Sequence, residues 1–185
     1  MSRSTRQQIV ISGVGGQGVL FVTRLLAEAA INKGFSVFTS ETHGMAQRGG
    51  TVLSHLKVGN FSSPLIRPSK ANGLLALKAE SLVQHGSYLE SDAWAVVNSS
   101  NGVPAGFGWS VFTVDADKLA QDIKNPKSAN LVLLGFAMAV ISESFNNKLF
   151  CSLADIKSVL ENKLVDKQEM LHASIEAIKA GYNMF

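Results

Sequence analysis

The chain of 185 residues has one cysteine, Cys151, and this scarcity limits the redox chemistry it can perform. A single thiol cannot form an internal disulfide, and an iron–sulfur cluster is normally held by four cysteine thiolates. Any cluster that works with this chain must therefore be held by another chain. Because no neighbouring sequence pattern marks an activated thiol, we interpret Cys151 as a small buried hydrophobic residue.

Long apolar runs and concentrated charge are also absent. The longest apolar segment, residues 131–141, is too short to cross a bilayer, and the N-terminal MSRSTRQQ lacks the apolar core of a signal peptide. The net charge is +3, but the Lys and Arg residues are scattered, with no run of five. This distribution argues against nucleic-acid binding. We therefore expect a cytoplasmic protein that binds neither membranes nor nucleic acids.

Hydrophobic residues make up 46% of the sequence, which is enough for one sizeable core at this length. We therefore expect a single domain over residues 1–185. The first half alternates short apolar runs with helical patterns, as α/β folds do. A buried strand is predicted over residues 8–12, followed by a helix that ends at Gly34 and a second strand over residues 35–39. These three elements form a right-handed βαβ unit.

The remaining segments predict a larger sheet. Residues 51–58 alternate between apolar and polar, which indicates a half-exposed antiparallel strand at an edge. Further strands are predicted at residues 73–77, 94–97 and 111–114. The fold class is thus α/β, with three α/β/α layers and a mostly parallel, Rossmann-like sheet.

Several helices carry recognisable signals. On a helix over residues 78–89, we expect the side chains that can face inward to be Leu82, Val83 and Tyr88. Asp115 suits the N-cap of a helix over residues 116–124, and residues 131–141 predict a helix buried on most sides. A helical C-terminal extension follows from about residue 145 to residue 185. Its two helices have possible caps in the pairs Ser152 with Asp155 and Asp166 with Glu169.

The first candidate site is the glycine turn in IVISGVGGQG, residues 9–18. The turn joins the first strand to a helix and can present backbone N–H groups to a ligand. Its candidate binding residues are Gly13, Gly15, Gly16, Gln17 and Gly18. The alternative is a tight crossing with no ligand, but such a turn has no need of the Gln17 amide.

The second candidate site is the polar segment SETHGMAQRGG, residues 40–50. Its candidate binding residues are Glu41, His43, Gln47, Arg48, Gly49 and Gly50. Arg48 suits a carboxylate or phosphate, and Glu41 could hold it in place. The alternative is a solvated loop with one surface ion pair. Ligands gather at the carboxyl ends of parallel strands, so the two motifs are expected to lie together.

The sequence assigns no metal-binding or catalytic residue to this chain. His55, His85 and His172 have no metal-ligand spacing with one another or with Cys151, so we interpret them as structural. Gly13, Gly15 and Gly18 match a dinucleotide fingerprint, with Glu41 as the acidic residue expected to bind a ribose. An alternative function is therefore a self-contained NAD(P)- or FAD-binding oxidoreductase.

The two motifs together resemble a known family. GVGGQGV (residues 13–19) and SETHGMAQRGGTV (residues 40–52) are similar to the gamma subunit or domain of the 2-oxoacid:ferredoxin oxidoreductases. The spelling HGMAQRGG looks most like the branch that holds the smaller (beta) subunit of indolepyruvate ferredoxin oxidoreductase. The likeness runs from about Gln8 to Val140. Lys57 is a mild departure, since this branch often carries Arg there.

The resemblance implies a complex that oxidatively decarboxylates a 2-oxoacid on thiamine diphosphate. Electrons would pass through iron–sulfur clusters to ferredoxin, and the acyl group to coenzyme A, a co-substrate. This chain lacks a GDG-type diphosphate and magnesium motif, so thiamine diphosphate, Mg and the clusters are expected in a large partner subunit. The chain would then be an accessory subunit, inactive alone.

Within such a complex, the glycine turn and the Arg-Gly-Gly loop would close over the thiamine site or help to seat coenzyme A. A non-catalytic interaction module is a related alternative, and a lone chain could self-associate as a homodimer. The substrate stays open among indolepyruvate, other aryl pyruvates, pyruvate and 2-oxoglutarate.

Overall fold

A computed structural model, which describes residues 5–43, 50–145 and 149–185, is built around a six-stranded sheet. In chain order the strands are β1 (Gln7–Val14), β2 (Val37–His43), β3 (Thr51–Val58), β4 (Ala71–Ala76), β5 (Leu89–Asn98) and β6 (Ser110–Val114). Their order across the sheet is β2-β3-β1-β4-β5-β6. The pairs β1–β4, β4–β5 and β5–β6 are parallel, whereas β3 is antiparallel to both its neighbours. The predicted α/β class with a mostly parallel sheet is confirmed.

Six helices of the described residues cover the sheet unequally. They are α1 (Val19–Asn32), α2 (Glu80–His85), α3 (Ala116–Asp122), α4 (Ala129–Ser144), α5 (Leu153–Lys163) and α6 (Gln168–Tyr182). Short 3₁₀ turns span Gly86–Tyr88 and Pro126–Ser128. One face of the sheet packs on α1 and on α3 to α6, and the other packs on α2 and loops. The second outer layer is therefore thin.

Strand β3 differs from its predicted position. It is antiparallel, as predicted, but it lies between β1 and β2, so β2 forms the edge of the sheet. The crossover through α1 leaves a gap between β1 and β2, which β3 fills, and residues 53–58 are consequently buried. Lys57 is buried too, with Nζ donating to the carbonyl oxygens of Ser63 (3.0 Å) and Leu65 (2.8 Å). Lys57, whose polarity suggested a solvated edge, thus has internal partners.

Two helix predictions are corrected by the structure. Val83 is 70% exposed although it was predicted to face inward, whereas Leu82 is buried. The helix has six residues, fewer than two turns, and ends at His85. Its inward face is therefore shorter than that of the predicted twelve-residue helix. The predicted cap of α6 by Asp166 is also wrong, because Lys167 occupies the cap position and makes no side-chain cap bond.

Two other cap predictions are confirmed. Asp115 accepts a hydrogen bond from the Lys118 N–H at 2.9 Å at the start of α3. Ser152 and Asp155 form a reciprocal capping box at the start of α5. These bonds satisfy N–H groups that a helix start leaves without intrahelical partners.

The all-apolar helix α4 is buried from Leu131 to Ile141, as predicted, and packs closely on α6. A Cβ on Gly135 would lie 2.0 Å from the Ile178 carbonyl oxygen, and one on Gly181 would lie 1.8 Å from that of Val132. Two facing glycines therefore let the helix backbones touch. No described helix is both long enough and apolar enough to span a membrane.

Candidate functional site

The glycine turn lies at the carboxyl end of β1, where the chain enters α1. Gly16 (φ +94°) and Gly18 (φ +81°) have left-handed backbone conformations that other residues adopt with strain. A Cβ on Gly18 would also lie 2.2 Å from Nδ2 of Asn130, at the start of α4. The backbone conformation therefore favours glycine at position 18, and any other residue would also displace the Asn130 side chain.

Gln17 braces this turn against the next strand. The Val14 N–H donates to Oε1 of Gln17 at 2.8 Å, and Nε2 of Gln17 donates to the Leu77 carbonyl oxygen at 3.2 Å. The amide thus satisfies backbone groups at the ends of β1 and β4, so the fold itself explains its presence. A role for Gln17 in ligand binding stays a prediction.

The structure brings the end of the second motif to the glycine turn. The Gly15 N–H donates to the Gly50 carbonyl oxygen at 3.1 Å. Just beyond this bond, Val14 of β1 pairs with Thr51 of β3. Residues 44–49, which include the predicted Gln47, Arg48 and Gly49, lie outside the described residues, as does the side chain of His43. The described ends of the two motifs are in direct contact.

Glu41 is placed differently from the acidic residue of a dinucleotide site. It lies within β2 opposite Ser54, which is itself opposite Ile11 of β1. Glu41 is therefore two strand spacings, about 10 Å, from β1 and level with its middle. In a dinucleotide-binding fold the acidic residue is on the strand next to the glycine turn. The geometry does not support the NAD(P) or FAD alternative.

A cleft of about 350 Å³ opens beside the turn, at the carboxyl ends of β1, β4 and β5. Here the chain connections leave in opposite directions, from β1 to β2 and from β4 to β5. Such a switch point is where open α/β sheets generally bind ligands. Its polar lining includes Gln17, Asn98, Asp117, Lys127 and Asn130.

Asn98 forms hydrogen bonds with three neighbouring residues at the base of this cleft. Its Oδ1 accepts from the Ala116 N–H at 2.9 Å, and its Nδ2 donates to Asp117 Oδ2 at 2.8 Å and, more weakly, to the Leu77 carbonyl oxygen at 3.3 Å. A larger, open cleft of about 540 Å³ shares Asn98 and Asp117. Neither residue was predicted from the sequence to have a role, although an amide directly after a buried strand is a usable signal.

Of the residues interpreted as structural, His55 and Cys151 are buried, His85 is half-buried and His172 is exposed. His55 is 2% exposed, its Nδ1 accepts from the Ile66 N–H at 3.2 Å, and burial, His85 and Lys57 together lower its pKa. Burial also lowers the pKa of His85. Cys151 is buried, as predicted, and burial raises the pKa of its thiol to about 12. Within the part of the chain that the structure describes, no three His, Cys, Asp or Glu side chains are grouped to hold a metal.

Comparisons with known proteins agree on one family. Residues 8–184 match the family described as pyruvate ferredoxin/flavodoxin oxidoreductase. The indolepyruvate oxidoreductase subunit IorB of Archaeoglobus fulgidus is 28% identical, over 96% of this chain and 94% of that protein. The IorB subunit of Thermococcus kodakarensis is 31% identical, over 69% of this chain and 74% of that protein.

Solved structures share the fold. A keto/oxoacid ferredoxin oxidoreductase gamma subunit from Geobacter sulfurreducens superposes with a TM-score of 0.76 at 22% identity, covering 96% of both chains. A 2-oxoglutarate:ferredoxin oxidoreductase from Magnetococcus marinus, solved with 2-oxoglutarate, coenzyme A and succinyl-CoA bound, gives the same score and identity. That match covers 99% of this chain but 32% of the Magnetococcus chain. A fold of this size thus occurs both as a separate subunit and within a longer chain.

Proposed function

Because the chain belongs to the pyruvate ferredoxin/flavodoxin oxidoreductase family, we propose that it is the accessory subunit of a 2-oxoacid:ferredoxin oxidoreductase whose substrate is indolepyruvate or another aryl pyruvate. The names of the IorB relatives support this substrate class. Substrate choice would be made in the large partner subunit, which also meets ferredoxin. The proposed reaction oxidatively decarboxylates the 2-oxoacid and yields an acyl-CoA.

The redox groups of this reaction do not fit the side chains described here. The lone thiol of Cys151 is buried with a pKa of about 12, so it is a poor metal ligand, and a cluster normally requires four thiolates. We assign thiamine diphosphate, its magnesium ion and the iron–sulfur clusters to the partner subunit.

The contact between the two motifs is the single observation that carries the proposed role of this chain. The Gly15–Gly50 bond holds one end of the segment containing Arg48 against the glycine turn. Guanidinium groups and backbone N–H groups are both suited to bind the phosphates of coenzyme A. The coenzyme A bound in the Magnetococcus enzyme supports this choice of ligand. The segment would close over the partner's thiamine site or help to seat coenzyme A.

Substitution of Arg48 in the complete complex tests this role. The chain and its large subunit would be co-purified, and dye reduction would be measured with indolepyruvate while coenzyme A is varied. For Arg48→Ala we expect an intact complex whose kcat/KM for coenzyme A is reduced by a factor of up to about ten, because one charge-assisted contact is lost. Arg48→Lys should recover part of the loss.

Arg24→Ala, which removes an exposed arginine from α1, is the matched control and should leave kcat/KM unchanged. If Arg48→Ala prevents assembly, the segment is an interface and does not bind coenzyme A. If it changes neither assembly nor rate, both proposed roles of the segment are wrong, although the family membership would stand.

A further inference from the structure

The sequence contains two Asn-Gly pairs, at residues 72–73 and 101–102, and the structure places them in contrasting surroundings. Asparagine is among the chemically labile residues, and a following glycine increases this lability because it has no Cβ to hinder approach to its backbone nitrogen. The reaction also requires that the asparagine side chain be free to rotate toward that nitrogen. The surroundings of each pair therefore decide which of them reacts.

Asn72 is held within the sheet. It lies in β4, between β1 and β5, and its Oδ1 accepts a hydrogen bond from the Gln8 N–H at 2.7 Å. Its Nδ2 donates to a carboxylate oxygen of Glu90. Gly73 is buried, and a Cβ there would lie 2.1 Å from the Trp94 ring. Rotation of the Asn72 amide toward the next backbone nitrogen would break both side-chain bonds inside a paired strand, so the fold protects this pair.

Asn101 lies in the irregular loop between β5 and β6, and both members of this pair are exposed. Gly102 has a left-handed backbone conformation (φ +72°), and a Cβ built on it would meet no atom within 4 Å. In the part of the chain that the structure describes, neither the Asn101 amide nor the Gly102 N–H has a hydrogen-bond partner. The Asn101 side chain is therefore free to turn, and the nitrogen that it must reach is accessible.

We propose that Asn101 is a site of spontaneous deamidation. The Gly102 nitrogen attacks Cγ of Asn101, a bond forms between these two atoms, and the bond from Cγ to Nδ2 breaks. Nδ2 leaves as ammonia and carries away the proton of the Gly102 N–H. Water then opens the resulting succinimide ring at either of its two carbonyl carbons, which gives aspartate or isoaspartate. The reaction consumes no reagent other than water.

Deamidation adds a negative charge to the wall of the larger cleft, of about 540 Å³, which Asn101 lines. The charged residues that line this cleft are Glu80, Asp115, Asp117, Lys78 and Lys118. Carboxylates therefore outnumber lysines there already, and the modification adds one more. Isoaspartate would also lengthen the loop backbone by one carbon. The inference does not depend on the proposed function, because it rests on the loop and its chemistry alone.

Peptide mapping by mass spectrometry tests the proposal on the purified full-length chain, kept folded in mildly alkaline buffer. We expect a mass gain of about 1 Da at Asn101 and a reaction at Asn72 that is slower by about a hundredfold or more, because Asn72 reacts only when β4 opens. In urea, where neither pair is protected, the two should react at similar rates. Equal rates in the folded chain, or an Asn101 that stays unmodified, would overturn the proposal.

Asn101→Gln and Gly102→Ala supply a second test. Glutamine would have to close a larger and less favourable ring, and the alanine methyl group hinders the attacking nitrogen, so both variants should lose most of the mass gain. Ser100→Ala, which changes an exposed neighbour and keeps the pair, is the matched control and should react at the parent rate. Circular dichroism would verify that each variant is folded. An undiminished mass gain in Asn101→Gln would contradict the assignment to Asn101.

Discussion

The contact between α4 and α6 gives a sharp prediction for the substitution Gly135→Ala. Gly135 lies in the middle of α4, where alanine is favoured over glycine by about 1 kcal/mol in helix propensity. The new methyl carbon, however, would lie 2.0 Å from the Ile178 carbonyl oxygen and 3.0 Å from the Tyr182 nitrogen. Both atoms belong to the backbone of α6, so no side-chain rotation can relieve the clash.

The cost of this clash should exceed the gain in propensity. Overpacking a core typically costs about 1 to 3 kcal/mol, and an obstructing backbone favours the upper end of that range. Subtracting the gain of about 1 kcal/mol leaves a net loss of about 2 kcal/mol. For a chain of this length the loss corresponds to a fall in Tm of about 4 to 8 °C.

Urea unfolding followed by circular dichroism would measure the loss directly. Gly108→Ala is the matched control, because a Cβ at Gly108 would meet no atom within 4 Å, and its stability should stay within about 0.5 kcal/mol of the parent. A Gly135→Ala protein as stable as the parent, or more stable, would refute the close approach of the two helices.

Three further predictions concern the Cys151 thiol, two histidines and the cap of α5. Because the pKa of the Cys151 thiol is raised to about 12, the folded chain should hold about a thousandfold less thiolate at pH 8 than the chain in urea. Reaction with iodoacetamide should be slowed by up to that factor, and equal rates would contradict the burial of Cys151. His55 and His85 have folded pKa values below 6.5, so the unfolded chain binds protons first as the pH falls. The free energy of unfolding should therefore be greatest above pH 6.5 and decrease below it, by up to about 1.4 kcal/mol per pH unit for each histidine. A urea midpoint that does not decrease when the pH is lowered from 7 to 5 would contradict this. Ser152→Ala removes the hydroxyl of the capping box with Asp155 and should lower the free energy of unfolding by about 1 kcal/mol. Ser152→Thr keeps a hydroxyl and should retain most of that stability, so equal urea midpoints for the two variants would be inconsistent with the cap.

Local signals in the sequence were sufficient for most of the fold. The apolar run of α4, the glycine turn after β1 and the cap at Ser152 each depend on neighbouring residues, and the structure contains all three. The position of β3 could not be found in this way. Its alternating pattern shows which side chains of the strand are polar. Which strands it pairs with depends on the space that the rest of the fold leaves between β1 and β2.

Long-range hydrogen bonds account for the rest of what the sequence did not reveal. The alternation of polar residues in β3 indicated solvent at Lys57, which instead binds two carbonyl groups of the following loop. Gln17 and Asn98 both donate to the Leu77 carbonyl oxygen from positions 60 and 21 residues away in the chain. No periodic pattern encodes such pairs. The two motifs were recognisable from sequence, but their contact at Gly15 and Gly50 became visible only in the fold.

Titration of the purified large subunit with this chain is the most direct test of the accessory role. Reduction of a dye, dependent on both indolepyruvate and coenzyme A, would be followed as the ratio of the two chains increases. The chain alone should give no turnover, and the rate of the large subunit should rise to a plateau near one chain per large subunit. Turnover by the chain alone, or a full rate from the large subunit without it, would contradict the proposed division of labour.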